Sequence, residues 1–214
     1  MPTSSPSYLP GRPTPLPSLA PSPAPYTCLG PFYASSNNYD DDYFRWGEDH
    51  DVFEAVNKTC CGGNAHVIIS SSTTSIPHGA FHGCSNLKTI VIPSSVTSMG
   101  TGIFRGATSL VSVVLPTSIT RIPDNTFRGC MSLTSISIPT SVTIISYGAF
   151  YGCSRLSSIT IPTTVTSIDG AFIDCTSLTS ISIPTSVTSI GGTFNGCSSL
   201  TSIIIPTGVT SIDR

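Results

Sequence analysis

Charged side chains are scarce in this chain, because lysine, arginine, aspartate and glutamate together make up 9% of its 214 residues. From residue 64 to the last residue there are six basic side chains, four aspartates and no glutamate. Nucleic-acid binding needs a basic stripe that neutralises phosphates, and acid and base catalysis needs paired carboxylates. The repeat region offers neither, so we expect no nucleic acid as a partner and no enzyme activity.

Long apolar runs are also missing, since Ser, Thr or Pro interrupts every apolar run within a few positions. A membrane-spanning helix needs about 20 consecutive apolar residues, so we expect no membrane insertion. The first residues, Met-Pro-Thr-Ser-Ser-Pro, lack the basic and apolar regions of a secretory signal peptide. The sequence therefore favours the cytoplasm, and the alternative is a cell-surface protein whose signal is missing from the chain as given.

Prolines and acidic residues are concentrated towards the N-terminal end. Ten of the 18 prolines lie in residues 2–31, and this Pro/Ser-rich composition predicts a disordered tail over residues 1–38. Residues 39–63 hold seven of the 11 acidic side chains, together with several aromatic ones. We interpret this acidic-aromatic segment as an N-terminal cap, because the first coil of a solenoid exposes its apolar core unless a polar segment covers it. An acidic interaction motif or a cation site at Asp40, Asp41 and Asp42 is the alternative.

One pattern recurs about every 23 residues over residues 64–214. The consensus unit is L-x-x-I-x-I-P-x-x-V-T-x-I-x-x-x-A-F-x-G-C-x-x. Its L-x-x-I-x-I part predicts a short strand that proline ends, V-T-x-I a second extended segment, and A-F-x-G-C a short helical turn. No unit can bury its apolar side chains alone, so the sequence predicts a repeat solenoid of about six stacked coils, mainly β with short helical turns. The phenylalanines that mark the units are spaced by 23, 23, 23, 22 and 22 residues: Phe81, Phe104, Phe127, Phe150, Phe172 and Phe194.

This motif resembles the 23-residue repeat of the BspA-like class of leucine-rich-repeat proteins, and the resemblance covers residues 64–214. It is specific, because about eight positions recur in phase through six units. The resemblance implies a leucine-rich-repeat solenoid. For characterised bacterial and parasite members it also implies adhesion to matrix or host proteins.

Five cysteines share one position of the repeat, where Ala107 replaces the sixth. Because alanine substitutes there, the position needs a small apolar side chain and not a ligand, so we predict buried free thiols, with no metal and no cofactor. Free thiols favour a reducing compartment. Cys28, Cys60 and Cys61 lie outside this position, and a disulfide from Cys28 to either of the other two is left open for a secreted protein. The five cysteines of the column are Cys84, Cys130, Cys153, Cys175 and Cys197.

The strand positions between inward side chains form columns that run from coil to coil. A strand face of this kind is broad and rigid, and repeat proteins use such extended surfaces to bind partners. The first coils carry valines beside basic residues, so we place the candidate protein-binding surface there. A polar sheet face with a few tolerated apolar residues is the alternative. The candidate residues are Lys88, Val91, Arg105, Val111, Val114, Thr134 and Ser137.

The functional prediction is a non-catalytic protein-interaction or scaffolding module that presents a rigid repeat surface. A cell-surface adhesion protein is the second hypothesis. An ice-binding solenoid is the third, because Thr97 and Thr120 begin a threonine ladder, although proline and a bend interrupt the face on which it lies. The sequence stops within a unit, so we also expect end-to-end self-association through an uncapped last coil, or a longer protein.

Overall fold

The computed structural model describes the strand Tyr26–Cys28 and then residues 66–212. The rest of the predicted tail, and the whole acidic-aromatic segment of residues 39–63, lie outside the described residues. Within the tail, the Pro/Ser-rich composition did not predict the strand at Tyr26–Cys28. The three domain boundaries given above stay predictions.

The described residues include ten strands, each of two to four residues. From the unit of Leu87 onwards a proline directly follows the first apolar segment, and proline cannot donate to a strand ladder, which keeps these strands short. The strands are β1 Tyr26–Cys28, β2 His66–Ile69, β3 Ser75–Ile76, β4 Thr89–Val91, β5 Ser98–Met99, β6 Ser112–Val114, β7 Arg121–Ile122, β8 Ile144–Ile145, β9 Ser158–Thr160 and β10 Ser180–Ser182.

Equivalent strands of successive units pair in parallel. The order β1-β2-β4-β6 makes one four-stranded sheet, and β9 pairs with β10. Thr89 lies opposite Ser112, so the strands of the repeat pair with their equivalents one unit further along the chain, whereas β1 precedes the repeats and pairs with β2. Isolated bridges from Ser137 to Thr160 and from Ser182 to Ile204 continue this strand face through the later coils. The predicted repeat solenoid is confirmed.

The V-T-x-I segments form a second line of parallel pairing on the other side of the core. Here β3 pairs with β5 and β7 pairs with β8. The threonines directly before β7 and β8 extend this register, because the Thr143 N–H donates to the Thr120 carbonyl at 2.8 Å and the Thr166 N–H to the Thr143 carbonyl at 2.8 Å. The two lines of pairing enclose the apolar side chains of each coil.

The phenylalanines stack into one continuous ladder through this core. Neighbouring ring centroids lie 5.2 to 6.2 Å apart, and the ring planes differ by at most 15°. The rings from Phe81 to Phe172 have no exposed surface, and the leucines from Leu87 to Leu178 are equally buried. Side chains of one kind therefore lie over their equivalents, as predicted, and each coil depends on its neighbours for burial.

The A-F-x-G-C segments form tight turns closed by backbone hydrogen bonds three residues apart. In one coil the Tyr151 N–H donates to the Gly148 carbonyl at 3.0 Å, and the Cys153 N–H to the Phe150 carbonyl at 3.1 Å. The expected short helical turns take this form, and no regular helix is present within residues 66–212. Gly152 has a φ of 68°, which a residue with a Cβ rarely adopts. Glycine is therefore favoured at this turn position, which Asp174 occupies in the next coil with a φ of 57°.

Asn125 occupies a position that is glycine in the other coils, and we expect Asn125→Gly to stabilise the chain. Asn125 has a φ of 54°, and its buried Oδ1 has no hydrogen-bond partner among the described residues. Removing an unsatisfied buried acceptor and a left-handed non-glycine residue should raise the free energy of unfolding by about 1 kcal/mol. Urea unfolding measures the change. The reciprocal Gly102→Asn should lower stability, and a loss of stability in Asn125→Gly would contradict the explanation.

The last two full units contain 22 residues, one fewer than the units before them, and the Asp169 side chain makes hydrogen bonds at the shortened turn. Its Oδ1 accepts a hydrogen bond from the Ser189 hydroxyl at 2.6 Å and from the Gly191 N–H at 2.9 Å. Both donors belong to the next coil. The carboxylate thus satisfies a backbone N–H at the shortened turn, which keeps the two coils in register.

The last described coil is less well covered than the others. Leu200 and Val209 are half-buried, and Ile204 and Ile212 are 85% and 62% exposed. Apolar side chains and an unpaired strand edge favour association with another chain. The predicted end-to-end self-association stays a prediction.

Candidate functional site

Exposed branched side chains form a column on the first coils of the strand face. Ile68 lies beside Val91, and Val91 lies beside Val114, in successive parallel strands. Each of these side chains points away from the core, and they are 36%, 41% and 53% exposed. Val111, directly before β6, is 43% exposed. We call these four residues the apolar strand patch.

Lys88 borders this patch. Its carbonyl accepts a hydrogen bond from the Val111 N–H at 2.8 Å, which places the two residues side by side in neighbouring coils. The Lys88 side chain is exposed. The patch therefore combines branched apolar groups with a cation at its edge.

The later coils present hydroxyl groups on the same face. The column of Val91 and Val114 continues with exposed Ser137, Thr160 and Ser182. Thr134 is exposed one coil after Val111, and its carbonyl accepts the Ser157 N–H at 3.3 Å. Of the predicted candidates, Thr134 and Ser137 thus lie on the strand face but outside its apolar part.

Arg105 lies elsewhere, in the turn directly after Phe104. It belongs to a column of turn side chains, because the Gly83 N–H donates to the Arg105 carbonyl and the Gly106 N–H to the Arg128 carbonyl, at 2.8 and 2.7 Å. In the next coil the Arg128 guanidinium carbon lies 4.4 Å from the centroid of the Tyr151 ring. This stacking holds the guanidinium over the ring face. The side chains of this turn column do not form part of the strand face.

Two tyrosines complete the turn surface. Tyr147 is 60% exposed, and its ring lies so close to Gly170 that a Cβ there would be 2.4 Å from the ring. The Tyr151 hydroxyl is hydrogen-bonded to Asp174, and that bond is the first cause of a raised Tyr151 pKa. We call Arg105, Arg128, Tyr147 and Tyr151 the arginine–tyrosine edge.

At the N-terminal end of this edge, Arg105 makes the electrostatic environment of His82 positive. Burial, followed by the charge of Arg105, lowers the pKa of His82. Among the described residues, no carboxylate forms an ion pair with Arg105 or Arg128. Within residues 66–212 the two guanidinium groups of the edge thus form no ion pair, and the nearby Asp174 carboxylate interacts with Tyr151.

The cysteine column is buried, and four of its members are free thiols. Each thiol donates to the carbonyl of the phenylalanine one coil earlier, as Cys153 Sγ does to Phe127 at 3.1 Å. Burial raises the pKa of all four thiols, to about 12 at Cys175. Such thiols are poor nucleophiles and poor metal ligands. The free members are Cys130, Cys153, Cys175 and Cys197.

The prediction of free thiols is wrong at Cys84. Cys84 is engaged in a disulfide, and its partner is not one of the four free thiols. A buried small side chain satisfies the packing position whether or not its sulfur is bonded, so the repeat pattern alone did not distinguish the two states. The Cys28 pairing left open above lies outside the described side chains.

Two histidines, His66 and His78, hydrogen-bond to threonines of the next coil. His66 Nδ1 lies 2.7 Å from Thr89 Oγ1, and His78 Nδ1 lies 2.8 Å from Thr101 Oγ1. Within residues 66–212, no three His, Cys, Asp or Glu side chains come together as metal ligands. In that same part of the chain, no helix is long and apolar enough to cross a membrane.

The threonine ladder uses its hydroxyls inside the coil stack. Thr143 Oγ1 donates to the Thr120 carbonyl at 3.2 Å, and Thr166 Oγ1 to the Thr143 carbonyl at 3.2 Å. These hydroxyl protons reinforce the backbone pairing between coils. Nothing in this arrangement supports the ice-binding hypothesis.

The repeat geometry coincides with that of a known family. Residues 58–170 and 169–214 match the BspA type leucine-rich-repeat region, in six copies. The chain belongs to the BspA-type leucine-rich-repeat family. Proteins of this family are repeat solenoids, and the predicted resemblance is therefore confirmed. No curated protein matches this sequence.

Solved structures of bacterial leucine-rich-repeat proteins share the fold of this BspA-type chain. A Treponema pallidum leucine-rich-repeat protein is 32% identical, with a TM-score of 0.65 over 69% of this chain and 72% of that one. A Bacteroides ovatus leucine-rich-repeat protein is 39% identical, with a TM-score of 0.61 over 64% of this chain and 36% of that one. A leucine-rich cell surface protein of Faecalibacterium prausnitzii is 32% identical, with a TM-score of 0.52 over 66% and 32%. The chain thus spans about a third of the last two proteins.

Proposed function

We propose that this BspA-type chain is a non-catalytic module that binds a protein through the apolar strand patch. The observation that carries the proposal is a contiguous column of exposed branched side chains, Ile68, Val91 and Val114, in register across three coils. Scattered apolar residues are ordinary on protein surfaces, whereas contiguous ones mark interaction sites. Hydroxyl side chains fill the same column at Ser137, Thr160 and Ser182, before Ile204 in the last described coil, so the repeat itself does not require branched apolar groups there.

The physical properties of the patch suit binding. Its β-branched side chains have few rotamers, and the parallel strands beneath them are fixed by backbone pairing, so little entropy is lost when a partner covers them. Each half-exposed valine that becomes buried contributes about 1 kcal/mol. Lys88 at the border favours partners with an acidic group near an apolar one.

The test is a triple substitution, Val91→Glu, Val111→Glu and Val114→Glu, in the full chain. We expect a partner captured by the parent to bind at least about tenfold more weakly, because each substitution removes apolar contact and places a charge in the interface. The measurement is surface plasmon resonance against a panel of purified extracellular-matrix proteins and against partners recovered from a lysate.

A matched control places the same charges on the hydroxyl part of the face, as Ser158→Glu, Thr160→Glu and Ser182→Glu. This variant should bind as the parent does. Circular dichroism must show both variants folded. Equal binding by the parent and the valine variant would exclude the apolar strand patch as the site.

Adhesion at the cell surface is the second candidate, and Cys84 favours it. Disulfides persist outside the cytoplasm and are rare inside it, so the bonded Cys84 counts against the predicted cytoplasmic location. A similar protein from Faecalibacterium prausnitzii is described as a cell surface protein. Capture of the parent by a matrix protein in the panel, lost in the valine variant, would assign adhesion as the role of the patch.

A further inference from the structure

The four free thiols stand in one column, in four successive coils. Ala107 separates them from the bonded Cys84 at the start of the column. Neighbouring parallel strands lie about 4.8 Å apart, so equivalent residues of adjacent coils fall within the separation of about 4.4 to 6.8 Å that a disulfide needs between its Cα atoms. Each neighbouring pair therefore meets the backbone requirement for a disulfide. The thiols are Cys130, Cys153, Cys175 and Cys197.

Hydrogen bonds bring the sulfur of Cys197 to the cysteine of the preceding coil. The Phe172 carbonyl accepts the Cys175 N–H at 3.2 Å and the Cys197 Sγ–H at 3.1 Å, so the Cys197 sulfur lies beside the Cys175 backbone. Burial is the first cause of the raised Cys175 pKa, and the charge of a Cys197 thiolate is the second. The two thiols are therefore close enough to influence each other's ionisation.

Exposure distinguishes this pair from the rest of the column. Fully buried thiols react slowly, because reagents do not reach them and burial disfavours the thiolate. The other three thiols have no exposed surface, whereas Cys197 is 8% exposed. Its neighbours Phe194 and Leu200 are only partly buried. Segments with few buried contacts open locally at a lower free-energy cost than the core does, so a small reagent reaches Cys197 first.

We propose that Cys175 and Cys197 are a redox-modification site, at which a low-molecular-weight disulfide creates a disulfide between their two coils. The Cys197 thiolate attacks one sulfur of the reagent and releases one small thiolate. Cys175 then turns from the Phe150 carbonyl, to which it donates at 3.2 Å, loses its proton and attacks the Cys197 sulfur, which releases the second small thiolate. The two cysteine protons end on the two small thiols, so the pair is oxidised and the reagent is reduced.

The bond joins the least covered of the described coils to the coil before it. A disulfide that closes the loop of residues 175–197 restricts the unfolded chain, so the oxidised form is the more stable one. Excess small thiol reverses the reaction and frees the coil. This redox site lies in the core and does not rest on the function proposed for the apolar strand patch.

Oxidised glutathione, added to the full chain, tests the proposal. The remaining thiols are then blocked with N-ethylmaleimide in denaturant at mildly acidic pH, and trypsin cleaves the chain after lysine and arginine. The cleavage sites separate the pairs, because residues 129–155 contain Cys130 and Cys153, and residues 156–214 contain Cys175 and Cys197. We expect peptide 156–214 to lack two hydrogen atoms and to carry no blocking group, and peptide 129–155 to carry two blocking groups.

Three other mass spectra would each overturn the proposal. Two blocking groups on peptide 156–214 would show that its thiols do not react. Glutathione retained on that peptide would show that Cys175 does not reach the Cys197 sulfur. A bond that joins peptide 156–214 to peptide 129–155 would show that a different pair of the column reacts.

Alanine variants connect the bond to stability. Ala107 shows that the column accepts alanine, so single variants should fold. Oxidation should raise the urea midpoint of the parent and of the control Cys130→Ala, and a small thiol should reverse the rise. Cys175→Ala should show no rise, and its Cys197 should retain glutathione as a mixed disulfide. A rise in Cys175→Ala equal to that of the parent would count against the pair.

Discussion

Replacing Phe127 with alanine is expected to lower the free energy of unfolding by about 3 to 5 kcal/mol. The ring has no exposed surface and stacks between Phe104 and Phe150, with centroids at 5.4 and 5.2 Å. The substitution removes buried area, two ring contacts and the filling of a close-packed site. Because coils gain stability only from their neighbours, a cavity in the middle of the array also weakens the coupling between its two halves.

Urea unfolding followed by circular dichroism measures this loss, and Phe194 provides the matched control. Phe194 is half-buried in the last described coil and has its ring neighbour Phe172 at 6.2 Å. Phe194→Ala should therefore cost much less, and Phe127→Ala should also broaden the transition. Equal losses from the two substitutions would show that the ladder does not couple the coils.

The chain is expected to lose stability steeply above about pH 9. Cysteine has an ordinary pKa of 9.0, and burial raises the pKa of Cys175 to about 12 and raises the pKa of Cys130 and Cys153 as well. Below pH 9 these thiols are protonated in both states, so their contribution to stability is fully present. As the pH rises further, the unfolded chain loses protons that the folded chain keeps, and the free energy of unfolding falls by about 1.4 kcal/mol per pH unit and thiol.

Alanine substitutions separate this effect from other alkaline titrations. Ala107 shows that the column accepts alanine, so Cys153→Ala with Cys175→Ala should fold. We expect the double variant to be less stable at pH 7, since it loses packing, yet to depend less on pH between 9 and 11. Urea midpoints across that range measure the slope. A slope equal to that of the parent would assign alkaline unfolding to groups other than the thiols.

The fold could be predicted from the sequence because one physical constraint repeats. A core shared between coils requires the same side chain at the same place in every unit, and Phe81 to Phe194 record that requirement directly. The same periodicity indicated that Val91, Val111 and Val114 are exposed, whereas Ile68 was not among the predicted candidates and Arg105, which was, lies in a turn. That this surface binds a partner stays a prediction. The first unit departs from the consensus before His66. Aligning its residues 66–69 with residues 89–92 places Ile68 at the position of Val91, and this alignment would have added Ile68 to the candidates.

Other features depend on contacts that a periodic pattern does not encode. The bond at Cys84 requires a second sulfur in space, and the column position is equally well filled by a free thiol. The arginine–tyrosine edge joins Arg105, Arg128 and Tyr151, which are 23 residues apart in sequence and occupy a variable position of the repeat. These side chains come together because the coils stack on one another. The sequence shows this only when the residue after each phenylalanine is compared from unit to unit.

The direction of the backbone pairing gives the molecule a particular mechanical character. The N–H···O bonds from β2 to β4 and from β4 to β6 run along the solenoid axis, so a pull on its two ends acts along the bonds and not across them. Bonds loaded in this way open one after another, as a zipper does. Each coil of 23 residues would then release roughly 80 Å of chain. Under tension, an array of this kind should therefore lengthen in steps, one coil at a time, and limit the force between two bodies attached to its ends.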